Sequence, residues 1–110
     1  MANAELWSGG LLVGRVKGVI ESDATWHGVL ERTVAAGQGA AAARVVEFIA
    51  FSEEWNERVR RGEDPDPGEF GRFADLVEST TWRVGGLGAV RRISKAPVFF
   101  AGDEVTWRYD

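Results

Sequence analysis

The sequence predicts an α+β fold: an antiparallel sheet built from an N-terminal hairpin and C-terminal strands, with two consecutive helices packed on one face, in the order ββααββββ. Three observations predict it. The stretch 40–61, AAAARVVEFIAFSEEWNERVRR, repeats its apolar residues at the helical period. Segments before and after the middle of the chain alternate apolar and polar residues, as half-buried strands do. Between them a second helical stretch opens on a proline flanked by capping residues. Strands gathered toward the two ends, with helices between, do not make the βαβ alternation of a parallel sheet.

From 11 to 20, Leu12, Gly14, Val16, Gly18 and Ile20 are expected on one face and Arg15 and Lys17 on the other. Glycine weakens a strand interior, so Gly14 and Gly18 on the apolar face predict a bulky group lying across them, with Trp7 and Trp26 the nearby candidates. The turn-rich interval 21–25 leads into a second strand over 26–34. Trp26, Gly28 and Leu30 share one of its faces; His27, Val29 and Glu31 share the other. The two strands make a hairpin with a loop of about five residues.

In the long helix, Ala42, Val45, Val46, Phe48, Ile49, Phe51, Trp55 and Val59 fall on one broad side. Glu47, Glu54, Glu57, Arg58 and Arg61 fall on the other, with Glu54–Arg58 and Glu57–Arg61 as i,i+4 acid-to-base pairs. The apolar arc is widest before Ser52 and narrows near Trp55, so the first half is expected deeper in the core. Gly62 stands where a C-cap glycine belongs. After a short acidic loop, Asp66 is placed as N-cap, Pro67 at the first helical position and Glu69 as the third residue of a capping box. The second helix is predicted over about 67–79, with Phe70, Phe73, Ala74 and Val77 as its stripe and Leu76 widening it.

The remainder reads as β. Trp82 and Val84 share a face over 80–84, Gly85–Gly86 signals a hairpin, and 90–94 returns. Pro97 lacks an N–H and belongs at a strand start or a sheet edge. Val98–Phe99–Phe100 then meets Val105–Tyr109 across a turn in which Gly102–Asp103 suits type II′. Val105, Trp107 and Tyr109 share one face of the last strand.

The 110 residues are expected to form a single α+β domain, 1–110, of a length that buries roughly two-thirds of its unfolded surface. Five Trp, six Phe and one Tyr argue against a solvated, disordered chain. Without cysteine there are no disulfides, thiolate metal sites or cysteine nucleophiles. No secretory leader is visible, and no apolar run approaches the ~18 residues of a bilayer span, so no membrane association and a cytoplasmic location are expected. A net charge of −4 argues against a nucleic-acid partner. Acids outnumber bases over 51–80, whereas Arg83, Arg91, Arg92, Lys95 and Arg108 make the last third mildly basic.

Candidate chemistry is sparse. His27 is the only histidine, but Ser22 and Thr25 beside it lie in an ordinary turn without a nucleophile elbow. One histidine and no cysteine disfavour zinc, and Asp64, Asp66 and Glu69 lack the spacing of a calcium loop. Gly85–Gly86–Leu87–Gly88 sits between strands with no adjacent lysine, and so reads as a turn, not a phosphate loop. Glu53, Glu54, Glu57, Asp75 and Glu78 read as a solvated helix face more readily than as a buried carboxylate pair. The aromatics Trp82, Phe99 and Trp107 are expected inward, which leaves no platform for stacking bases.

No catalytic residue, cofactor site or metal site is therefore expected. The chain reads as a small acidic non-enzymatic domain that acts by binding another protein or a second copy of itself, in general character like a small inhibitor or immunity protein. The expected contact residues are Trp55 and Trp7, as large anchors outside the deepest core, with Glu53, Glu57 and Arg58 around Trp55. The alternative is a small enzyme or ligand-binding domain with a tryptophan-lined pocket near His27.

Overall fold

Ala2–Ser8, Leu11–Ser22 and Thr25–Arg32 form strands β1, β2 and β3, and Ala40–Arg60 forms helix α1. A 3-10 segment, Pro67–Phe73, runs into a short helix α2 at Ala74–Val77; strands β4 (Trp82–Gly85), β5 (Arg91–Arg92), β6 (Val98–Phe100) and β7 (Glu104–Trp107) follow. This computed structural model describes residues 2–78, 81–86, 90–93 and 95–109. The return strand expected over 90–94 is described only in part, and the Leu87–Gly88 portion of the hairpin loop lies outside the described residues.

The fold class is α+β, and among the described residues seven strands, all antiparallel, run in the order β5-β4-β1-β2-β3-β7-β6. The N-terminal unit is a three-stranded meander, not a hairpin, because β1 precedes the expected pair and lies between β2 and β4. Its apolar period is weak. The buried residues Ala4 and Leu6 give a weak stripe, while the largest apolar residue, Trp7, points to the other face beside Arg83 and Leu12. Beyond β5, Ile93 bridges Tyr109 and its N–H bonds the Trp82 carbonyl at 3.1 Å. This joins the β5 end of the sheet to β7, so the sheet rolls over α1.

The rolled interior is apolar. Leu6, Val16, Leu30, Trp82, Val84, Phe99 and Val105 from the strands share one core with Val45, Phe48 and Ile49 of α1. Phe48 sits at its centre, with ring centroids 5.4 Å from Phe73, 6.3 Å from Trp82 and 6.0 Å from Phe99. The first half of α1 is the more buried, as its wider apolar arc requires. The helix ends on a Schellman motif: Gly62 (φ 86°) donates to the Val59 carbonyl and Glu63 to that of Arg58, each at 3.0 Å.

Strand β2 departs from simple alternation twice. Pairing with β3 shifts between Lys17 and Ile20, where Gly18 takes φ 63°, and the extra residue reverses the faces beyond it. Val19 turns inward and Ile20 outward, 57% exposed. Near Val13 a second shift against β1 buries Val13 in place of Leu12. Gly14 has a different reason from the one expected. A Cβ there would lie 2.4 Å from the Glu31 carbonyl oxygen, so the close neighbour is the β3 backbone and not a tryptophan.

The β2–β3 connection is a two-residue turn, Asp23 (φ 53°) and Ala24 (φ 63°), tighter than the expected loop because Ser22 already pairs with Thr25. Left-handed backbone is unfavourable for alanine and free for glycine. Ala24→Gly is therefore expected to raise stability by about 0.5–1 kcal/mol, a rise of roughly 2–8 °C in Tm by differential scanning calorimetry. A fall in Tm would mean that the lost unfolded-state entropy outweighs the relieved strain. At the other hairpin, Gly102 (φ 82°) and Asp103 (φ 63°) are both left-handed within a three-residue turn, in place of the expected type II′ pair.

The second helix is the other correction. Asp66 caps as expected, accepting from the Gly68 N–H at 2.9 Å, but the chain winds as 3-10 turns to Phe73 and is α-helical only over Ala74–Val77. Gly68 and Gly71 fall inside that stretch and lower its helical propensity. Glu69 does not close a capping box; it pairs with Arg58 at 3.0 Å. Phe70, Phe73 and Val77 nonetheless pack against the core, and Ala74 is exposed. Arg44 fastens this segment to α1: its guanidinium bonds Asp75 and the Arg72 carbonyl and lies 4.5 Å from the Phe73 ring centroid.

Strand β6 is an edge of the sheet, and α1 closes it. Ser52 Oγ accepts from the Phe99 N–H and donates to the Phe99 carbonyl, both at 3.3 Å, while Asn56 Nδ2 donates to the same carbonyl at 3.1 Å. Ser52 is buried at the interface. These two side chains occupy the backbone groups through which another strand would add.

Candidate functional site

Trp55 stands one turn beyond Ser52, where the apolar face of α1 leaves the sheet. Its ring lies edge-on to Phe70 at 5.1 Å, and its Nε1–H reaches the Asp66 carbonyl at 3.4 Å. The indole is thus one wall of a groove of about 330 Å³, completed by Phe48, Phe70, Val77, Pro97 and Val98, with Ser52 and Asn56 also lining it. Pro97, which has no N–H to pair, stands just before β6, and the Lys95–Val98 segment forms the other wall of the groove. Lys95 stands at its rim with a left-handed backbone (φ 57°), and among the described residues no carboxylate pairs with it.

The other expected contact residues do not all converge there. Glu53 projects from the opposite side of α1 toward Arg32, whose Nη2 lies 3.6 Å from Glu53 and 3.1 Å from Asp103. Burial pushes the Glu53 carboxyl up from its ordinary value; Arg32 opposes the shift and Asp103 adds to it. Glu57 pairs with Arg60 at 3.2 Å, and Arg58 reaches Glu69 on the 3-10 segment. Trp7 lies on the outer face of β1, the face turned away from α1. Trp55 and Arg58 therefore share the flank that packs on the 3-10 segment, whereas Trp7 and Glu53 belong to other surfaces. Most acids of the middle region are engaged: Glu47, Glu53, Glu54, Glu57, Glu63, Glu69 and Asp75 each have an arginine within 4 Å.

His27 lies on the outer face opposite Thr106 and Ile20. It borders a pocket of about 340 Å³ with Gly18, Ile20, Val29 and Glu104, and no tryptophan is among the lining residues because Trp26 faces inward. Its Nε2 is buried without a hydrogen-bond partner. Among the described residues no acid bonds to it, so they do not assemble the relay of a histidine general base. Among the described residues no three His, Asp or Glu side chains cluster as metal ligands do, and no helix is long and apolar enough to cross a membrane.

No family model, curated protein or solved structure matches this chain. The groove by Trp55 is walled by rigid aromatic groups, is open to solvent along one side and carries a lysine at its rim. Pro97 was the sequence signal for it, as an expected break in pairing. That a groove lies there against α1 depends on where β6 meets the helix, which no local pattern encodes.

Proposed function

We propose that this chain is a non-enzymatic cytoplasmic domain that binds another protein, and that the contact is the groove between the Trp55 end of α1 and the Lys95–Val98 segment. The observation that carries this reading is the open aromatic groove itself. Aromatic anchors with a polar rim are the usual make-up of an interface centre. The occupant that fits is a partner segment bearing one large apolar side chain beside an acidic residue: the apolar group against Trp55, Phe70 and Val98, the acid at Lys95. The acids of α1 contribute less, because the arginines beside them already neutralise them.

The test uses affinity capture with the wild-type chain, Val98→Glu and Trp7→Ala. Val98 is 41% exposed and lines the groove, so a glutamate there places a charge in the contact without entering the core. The expected result is a partner held by the wild type and by Trp7→Ala but lost from Val98→Glu, whose Tm stays within about 2 °C of the wild type. A partner retained by Val98→Glu would move the contact elsewhere.

A further inference from the structure

On the outer side of the same Lys95–Val98 segment the sheet has a seam. Strand β6 pairs with β7 only as far as Val98↔Thr106, and the next cross-strand link is the Ile93↔Tyr109 bridge. Between them a pocket of about 380 Å³ opens over Trp107 and Arg108. We propose that this seam is a binding site for a small organic molecule carrying an oxyanion, a carboxylate or a phosphate group.

The lining is rich in donors. Lys95 and Arg108 both border the pocket, with Thr25 and Thr106 beside them. Arg108 donates its Nε–H to Thr25 Oγ1 at 3.2 Å, which fixes the guanidinium and leaves its terminal N–H groups free to meet a ligand. Among the described residues no carboxylate pairs with either cation, as is also true of Arg15, Arg72, Arg83 and Arg91. Trp107 also lines the pocket. The residue is only 3% exposed and its side chain belongs to the core, so the indole neighbours the pocket as a reporter without bonding a ligand there.

Lys95 adds an independent sign. It holds φ 57°, a conformation that lysine adopts at a cost and glycine adopts freely. The strained position thus keeps an ammonium where a turn alone would favour glycine. Ala96 and Val98 supply the apolar part of the wall, which suits an organic acid better than a bare inorganic ion. Carboxylate and phosphate satisfy the same donors, so the two are separated by experiment.

The five tryptophans give five indole N–H signals in a 15N correlation spectrum, and Trp107→Phe assigns the one that matters. Benzoate and inorganic phosphate are titrated separately, with sodium chloride at matched ionic strength as reference. The expected result is a saturable shift of the Trp107 signal with a midpoint on the order of 1–10 mM for the preferred anion, and no such shift with chloride. Saturation by benzoate alone assigns a carboxylate ligand; saturation by phosphate alone assigns a phosphate ligand. Lys95→Gly and Arg108→Gln are each expected to weaken binding about tenfold. Lys95→Gly should do so while keeping or raising Tm, because it also relieves the left-handed backbone. A Trp107 signal that drifts equally in all three salts, or an affinity unchanged in both folded variants, overturns the proposal.

Discussion

Phe48→Ala is expected to cost this fold about 3–5 kcal/mol, the range for removing a buried phenyl ring. Phe48 is where every layer meets: Phe73 from the 3-10 segment, Trp82 from β4 and Phe99 from β6 surround its ring. None of these neighbours can simply slide inward. Trp82 is held by its Nε1–H to the Leu76 carbonyl at 2.8 Å, and Phe99 is held by the side chains of Ser52 and Asn56. The cavity should therefore persist, placing the loss at the upper end of the range. Equilibrium urea unfolding reads it as a fall in midpoint at constant m. A loss under about 2 kcal/mol would show that the 3-10 segment collapses into the space.

The second large effect is expected at the β6 edge. Ser52→Ala combined with Asn56→Ala removes the acceptor of the Phe99 N–H and both side-chain donors to its carbonyl. A buried backbone group left unpaired costs about 1–3 kcal/mol, so the double variant should lose about 2–5 kcal/mol. It should also expose a strand edge, seen as concentration-dependent association in sedimentation equilibrium. A double variant that associates no more than the wild type and loses less than about 1 kcal/mol would mean that water serves the edge as well as α1 does.

The two effects differ in how readily the sequence discloses them. The period of α1 marks Phe48 as core without any knowledge of its neighbours. Ser52 falls on the same face, yet nothing local says that a serine there will bond a strand nearly fifty residues away. The same contrast runs through the strands. Alternation in β3 places Trp26, Gly28 and Leu30 correctly, because that strand has no bulge of its own. In β2 the irregularity at Gly18 reverses the faces, and a period-two reading then places Ile20 inside when it is outside. For the second helix, the spacing identifies Phe70, Phe73 and Val77 as packed residues. The two glycines decide instead how the backbone winds between them. At the candidate sites Trp55 and Pro97 stand out from sequence as an exposed-end anchor and a pairing break. The meeting of Lys95, Arg108 and Trp107 does not, since it depends on the long-range bridge that rolls the sheet over.

The position of β1 also has a consequence for synthesis on the ribosome. Strand β1 is made well before one of its two partners, β4, which begins at Trp82. At about 5–20 residues per second, roughly 4–15 s separate the end of β1 from the start of β4. Through that interval the β1 flank that β4 will pair is unfilled, even after α1 has emerged to cover the apolar side of Leu6 and Val16. The nascent chain is therefore most exposed to misassociation before its second half is translated.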